Sequence, residues 1–126
     1  MIKKEGPGWR IIRDSSRNNF STLIGGENWA LELNQIEWES LVKLVIELSD
    51  QYKTVKDQLM GDEDITLELE RTPWLAILKG DQYGWNLRLI LTNSGLLNRG
   101  AEIFWDRNVT EFVTNAMRTM WDSGYL

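Results

Sequence analysis

The stretch Trp29–Leu48, WALELNQIEWESLVKLVIEL, changes its apolar period in the middle, and that change decides the fold class. Before Asn34, Trp29, Leu31 and Leu33 share one face with Glu32 on the other, the alternation of a half-buried strand. After Asn34, Trp38, Leu41, Val42, Val45 and Leu48 recur at helical spacing. Asn34 stands at the switch with Glu37 three residues on, so one side chain caps the helix while the other reaches back, a capping box. Tyr52, Val55 and Leu59 continue the stripe. The spacing predicts a helix over Gln35–Leu59, roughly 37 Å long at about 1.5 Å per residue. Leu44 and Ile46 lie off the main stripe, which predicts a helix wrapped by the sheet or contacted from two sides.

Strands precede and follow this helix. Trp9, Ile11 and Arg13 alternate with Arg10, Ile12 and Asp14, predicting a strand over Gly8–Asp14, with a second over Phe20–Ile24 and a third over Trp29–Leu33. Gly25-Gly26 reads as a tight hairpin turn with positive φ at both positions. Beyond the hydrophilic break Gly61–Asp64, Ile65, Leu67 and Leu69 alternate with Thr66, Glu68 and Glu70. Trp74–Lys79, Tyr83–Leu91 and Ala101–Trp105 read as three further strands, with a loop at Thr92–Gly100. Asn108, with Glu111 three residues later, reads as the cap of a second helix, whose stripe is Val109, Phe112, Val113, Ala116, Met117, Met120 and Trp121. The expected fold is a single α+β domain over residues 1–126: a curved antiparallel sheet packed on helices, in the order βββ-α-ββββ-α. The two helix starts also align at a 74-residue offset, Asn34 with Asn108 and Trp38 with Phe112, as pseudo-twofold symmetry or as two similar amphipathic helices. The in-phase residues Trp9, Trp29, Trp38, Trp85, Leu67, Leu69, Leu87, Phe112 and Met117 are the expected core.

Composition closes off several chemistries. The 126 residues include no Cys and no His, which removes thiol nucleophiles, disulfides, Cys/His zinc sites and imidazole catalysis. Trp, by contrast, occurs seven times. The formal net charge is −5 and is unevenly spread: residues 1–26 carry +3, residues 27–70 carry −9 and residues 71–126 carry +1. Met1–Gly8 has no apolar run behind its lysines, so no signal peptide is expected. No apolar run approaches the roughly 20 residues of a membrane span, and a cytoplasmic protein without membrane contact is expected.

Short motifs carry little chemistry. Ser40-Leu41-Val42-Lys43 has the Ser-x-x-Lys spacing of penicillin-recognising enzymes without their companion motifs, and reads as helix surface. Tyr52 and Lys56 have the Tyr-x-x-x-Lys spacing of short-chain dehydrogenases without a nucleotide-binding glycine fingerprint. Asp62-Glu63-Asp64 lacks the staggered oxygen ligands of a calcium loop. Glu68 and Glu70 share one strand face, with Glu32 as a possible neighbour, but no flanking residues suggest a pocket for acid–base work. No catalytic residue, metal site or cofactor is expected. One combination suits a ligand: Arg10, Arg13, Arg71 and Arg88 near Trp9, Trp74, Tyr83 and Trp85, because aromatic faces stack on bases and Arg neutralises phosphate.

The segments Gly6-Pro7-Gly8-Trp9-Arg10, Phe20–Trp29, Glu37-Trp38-Glu39, Leu67–Arg71 and Ala116–Asp122 resemble, in this order, a small cyanobacterial family of unknown function. Its fold is similar to that of the single-stranded-DNA-binding transcriptional regulators, the Whirly proteins among them, and has also been described as cystatin-like. The resemblance implies a curved antiparallel sheet on a helix and transfers no catalytic or ligand residue. Whirly proteins bind DNA through a Lys-Gly-Lys strand motif, which Ser21–Ile24 does not offer. A non-enzymatic binding or regulatory module, a homodimer contacting another protein, is therefore the leading expectation. Single-stranded nucleic acid, disfavoured by net charge, and a small ligand in a sheet-lined cavity are the alternatives.

Overall fold

Alternation begins earlier than the first Trp. Ile2, Lys4 and Gly6 are half-buried while Lys3 and Glu5 are exposed, and the computed structural model, which describes residues 1–92 and 98–124, forms its first strand there, β1 (Ile2–Gly6). A Pro7-Gly8 turn leads into β2 (Trp9–Arg13), and Gly8 takes φ +81°, the conformation that favours glycine in this kind of turn. β3 (Thr22–Gly25) and β4 (Ala30–Leu33) complete an antiparallel sheet of order β1-β2-β3-β4. Gly25-Gly26 is not the expected two-residue turn: neither glycine has positive φ, and Gly25 is the last residue of β3. The turn runs Gly26–Trp29, closed by the Gly26 amide donating to the Trp29 carbonyl at 3.0 Å. Both glycines are there for space, because a Cβ on Gly25 would lie 2.9 Å from Arg10 Cγ and one on Gly26 would lie 2.1 Å from Trp29 Nε1.

α1 (Gln35–Lys56) starts as its sequence predicts: Asn34 accepts from the Glu37 amide at 2.8 Å, and Glu37 accepts from the Asn34 amide at 2.9 Å. It stops three residues before Leu59, where Gln58 and Leu59 bond back to Val55 and Lys56 in tighter turns. The second sheet has order β5-β6-β7-β8, built from β5 (Ile65–Arg71), β6 (Trp74–Asp81), β7 (Gly84–Leu91) and β8 (Ala101–Trp105), all antiparallel. Residues 93–97 of the expected Thr92–Gly100 loop lie outside the described residues. α2 (Thr110–Asp122) closes the fold. The fold class is thus α+β with antiparallel sheets and the expected strands-then-helix repetition; one strand is added at the N-terminus and the strands divide into two sheets.

Asn108 does not cap α2; Val109 holds that position and makes no side-chain bond. Asp106 takes over the turn, its side chain accepting from the Asn108 amide at 2.8 Å and its carbonyl from Val109 and Thr110 at 3.1 and 3.2 Å. The aligned helix positions differ in burial, Trp38 wholly buried and Phe112 61% exposed, although each half repeats a four-stranded antiparallel sheet followed by a helix.

One core cluster joins all layers: Ile11, Ile24 and Leu33 from the first sheet, Trp38, Leu41 and Val45 from α1, Trp74, Trp85 and Leu89 from the second sheet, and Val113 and Met117 from α2. Of the expected core residues, Trp38, Trp85, Leu87 and Met117 are buried, while Trp9, Trp29, Leu67 and Leu69 are half-buried at its margin. Phe112 was expected inside and lies outside, because the face of α2 that meets the core carries Val113, Thr114, Ala116, Met117 and Met120. Leu44 is wholly buried, in keeping with a helix contacted from two sides, and Ile46 is half-buried. The Trp-rich composition follows from the packing: a buried indole fills volume and still carries one donor. Trp74 donates to the Glu37 carbonyl at 2.9 Å, and Trp85 to the Glu111 carboxylate at 2.8 Å.

Candidate interaction surface

The second sheet covers the core with one face only. Trp74, Ala76, Leu78, Trp85, Leu87, Leu89, Ile103 and Trp105 point inward, so the alternate positions must face out. Register places them in rows: Glu68, Ile77, Arg88 and Phe104 lie side by side across the four strands, and Glu70, Leu75, Ile90 and Glu102 form the next row. The outward face therefore has an apolar centre of Leu75, Ile77, Ile90 and Phe104, with Phe104 itself 45% exposed. Glu68, Glu70, Lys79 and Glu102 rim it, and Arg88, between Ile77 and Phe104, pairs with Glu102 at 3.4 Å. A shallow hollow of about 230 Å³ lies between Ile77, Lys79, Asn86, Arg88 and Phe104. Contiguous apolar area with a polar rim is the usual form of a contact surface.

Sequence periodicity did not single out these four residues. The signal was present in WLAIL at 74–78, which is apolar on both faces although only one face of an antiparallel sheet needs to be. Phe104, between the inward Ile103 and Trp105, is the same departure from alternation.

The four arginines considered for nucleic acid are divided between two sheets and two faces. Arg10 is exposed on the outer side of the first sheet, its side chain lying across Gly25. Arg13 turns inward: it donates to Thr22 at 2.7 Å, Gln35 at 3.0 Å and Ser21 at 3.3 Å, and lies 5.5 Å from the centre of the Trp38 ring. Burial holds its pKa below the ordinary arginine value, against the opposing effect of Glu39. Arg71 pairs with Glu47 at 3.2 Å and Arg88 with Glu102. Each has its own neighbours.

The remaining sequence motifs also have structural partners. Lys43 lies 5.8 Å from the centre of the Trp121 ring, in a groove of about 610 Å³ between α1 and α2. There Arg118 pairs with Asp50 at 2.8 Å, and Ile46 and the 38% exposed Trp121 supply apolar surface. Tyr52 donates its hydroxyl to the Asp81 carbonyl at 2.6 Å, and burial raises its pKa, the opposite of an activated phenolate. Glu68 and Glu70 are exposed on the second sheet, whereas Glu32 pairs with Arg17 at 3.4 Å on the first. Asp62, Glu63 and Asp64 form an exposed turn. Among the described residues, no group of three His, Cys, Asp or Glu side chains is placed to hold a metal ion, and no helix is long and apolar enough to cross a membrane.

The family model described as Domain of unknown function (DUF1818) matches residues 4–120. The chain belongs to this family. A crystal structure of a protein with unknown function, described as from the DUF155 family, from Prochlorococcus sp. NATL2A, is similar throughout: 77% identity, a TM-score of 0.92, and coverage of 96% of this chain and 99% of that one. No curated protein matches the chain. The chain thus belongs to a family of unknown function and is similar to a cyanobacterial protein of unknown function, and neither description names an activity, a substrate or a ligand.

Proposed function

We propose that this DUF1818 chain is a non-enzymatic interaction module that pairs with a second copy of itself through the outward face of the second sheet. The observation that carries this reading is the Leu75–Ile77–Ile90–Phe104 centre, apolar side chains held on the side of a sheet that no helix covers. The rim supports a second copy over a partner of one charge sign. Glu68 and Glu70 lie on β5 at one edge, and Arg88, paired with Glu102 on β8, lies toward the other. A two-fold axis running parallel to the strands sets the β5 edge of one copy opposite the Arg88 and Phe104 side of the other. Single-stranded nucleic acid, the ligand of the Whirly-like regulators, suits this surface poorly, because three carboxylates surround its two cations and the formal net charge is −5.

Sedimentation equilibrium at tens of micromolar tests the reading. A dimer is expected, converted to monomer by Ile77→Asp and, independently, by Ile90→Arg, with the circular dichroism of the fold retained. A monomeric unmodified protein, or dimers that survive both substitutions, would overturn it.

A further inference from the structure

Next to this face, across Phe104, a separate cleft of about 320 Å³ opens between the turns of the first sheet and the end of β8. Its walls include the Pro7-Gly8 turn, Glu27, Trp29, Phe104 and Asp106. The indole in its wall is fixed from several directions. Trp29 Nε1 donates to the Phe104 carbonyl at 3.0 Å, its ring lies 5.4 Å from that of Trp105, and Gly26 lies beneath it with no room for a Cβ. Gly8 lines the cleft as well: at φ +81° it approaches Val109 so closely that an added Cβ would lie 3.1 Å from Val109 Cγ1.

The charged residues in this wall, Glu27 and Asp106, are both acidic. Neither has an ion-pair partner among the described residues, whereas eight other carboxylates do. Arg10 lines the neighbouring hollow on the first-sheet side, not this cleft. A rigidly held indole beside two carboxylates without ion-pair partners attracts a cation, through the ring quadrupole and through simple charge.

We propose that the cleft receives a guanidinium group, the arginine side chain of a partner protein. A guanidinium is planar, stacks on indole and presents its donors as a fork that carboxylates accept; an ammonium is a compact, strongly hydrated point charge. The volume, at the lower end of small-ligand sites, suits one side chain rather than a nucleotide. The partner segment is then basic, and the formal net charge of −5 draws it in. The inference rests on the cleft alone and holds whether or not the second sheet pairs with another copy.

The test is a titration of ¹⁵N-labelled protein with N-acetyl-arginine amide, read at the indole Nε1–H resonances of Trp29 and Trp105. A saturable shift centred on Trp29 is expected, with none from N-acetyl-norleucine amide, which has a similar stem and no charge. The Glu27→Gln/Asp106→Asn variant should bind about tenfold or more weaker. Asn at 106 keeps an oxygen for the Asn108 amide, and an unchanged Trp105 resonance reports an intact fold. No saturable shift, an equal shift with the norleucine amide, undiminished binding in the variant, or tighter binding of spermidine than of the arginine amide would each overturn the proposal.

Discussion

Trp29 and Trp105 clasp the two sheets reciprocally. Trp29 Nε1 donates to the carbonyl of Phe104 on β8, Trp105 Nε1 donates to the carbonyl of Gly25 on β3, each at 3.0 Å, and the rings meet at 5.4 Å with 47° between their planes. Phe104 lies on β8, an end strand of its sheet, and an end strand carries carbonyls without ladder partners, whereas Gly25 is the last residue of the interior strand β3. Arg99 adds a third tie, donating to the Glu32 carbonyl on β4. Side-chain donors thus do between the sheets what main-chain amides do within them.

That clasp predicts non-additive losses. Trp29→Phe should cost about 1 kcal/mol and Trp105→Phe, which leaves a buried carbonyl unpaired, about 1–3 kcal/mol. Because the rings touch, the double variant should depart from the sum by about 0.5 kcal/mol or more. Urea unfolding followed by circular dichroism measures all three, and strict additivity would show the two indoles acting independently.

Phe112 and Trp85 provide a contrast in burial. Phe112 is 61% exposed, so Phe112→Ala should change stability by no more than about 0.5 kcal/mol. Trp85 is wholly buried and bonds to Glu111, and Trp85→Ala should cost about 3–5 kcal/mol. Equal losses would contradict the orientation of α2.

Glu37 is a carboxylate with no solvent exposure. One oxygen accepts from the Asn34 amide, and the other lies 3.4 Å from Arg99 Nε, while Arg99 rests 4.8 Å from the centre of the Phe20 ring. Glu37→Ala removes the reciprocal half of the capping box and leaves the guanidinium without its carboxylate, an expected loss of about 3 kcal/mol. Glu37→Gln keeps an acceptor for the cap and should lose less. The order of the two thermal midpoints decides it.

Asp81 is expected to make the fold acid-sensitive. The Tyr83 amide donating to its carboxylate at 2.8 Å is the main cause of a pKa below the usual carboxylate range; burial opposes it, and Arg107 at 3.3 Å lowers it further. A group whose pKa is lowered on folding stabilises the protein above the ordinary carboxylate range and loses that contribution as pH falls through its native value. Urea midpoints between pH 6 and pH 2.5 should therefore fall less steeply in Asp81→Asn than in the unmodified protein. Asp14, lowered by its bonds from Ser16, should keep part of the slope in both.

Local periodicity and local capping determined much of this protein. The period change at Asn34 marked the start of α1, because a capping box closes within four residues and needs no distant partner. Alternation from Ile65 to Glu70 marked β5 for the same local reason. Other features depended on contacts distant in sequence. Gly25 and Gly26 read as a turn pair, yet Arg10 and Trp29 crossing above them are what exclude a side chain. Asn108 has a capping residue's chemistry, but Asp106 reaches the turn first. Phe112 belongs to an apolar stripe wider than the surface that α2 can bury. The outward apolar face was hidden for a related reason: an apolar residue on a strand has the same local signal facing the core or facing out. Only the register of β6, β7 and β8, and the placement of both helices against the opposite side, decide that Ile77, Ile90 and Phe104 look outward.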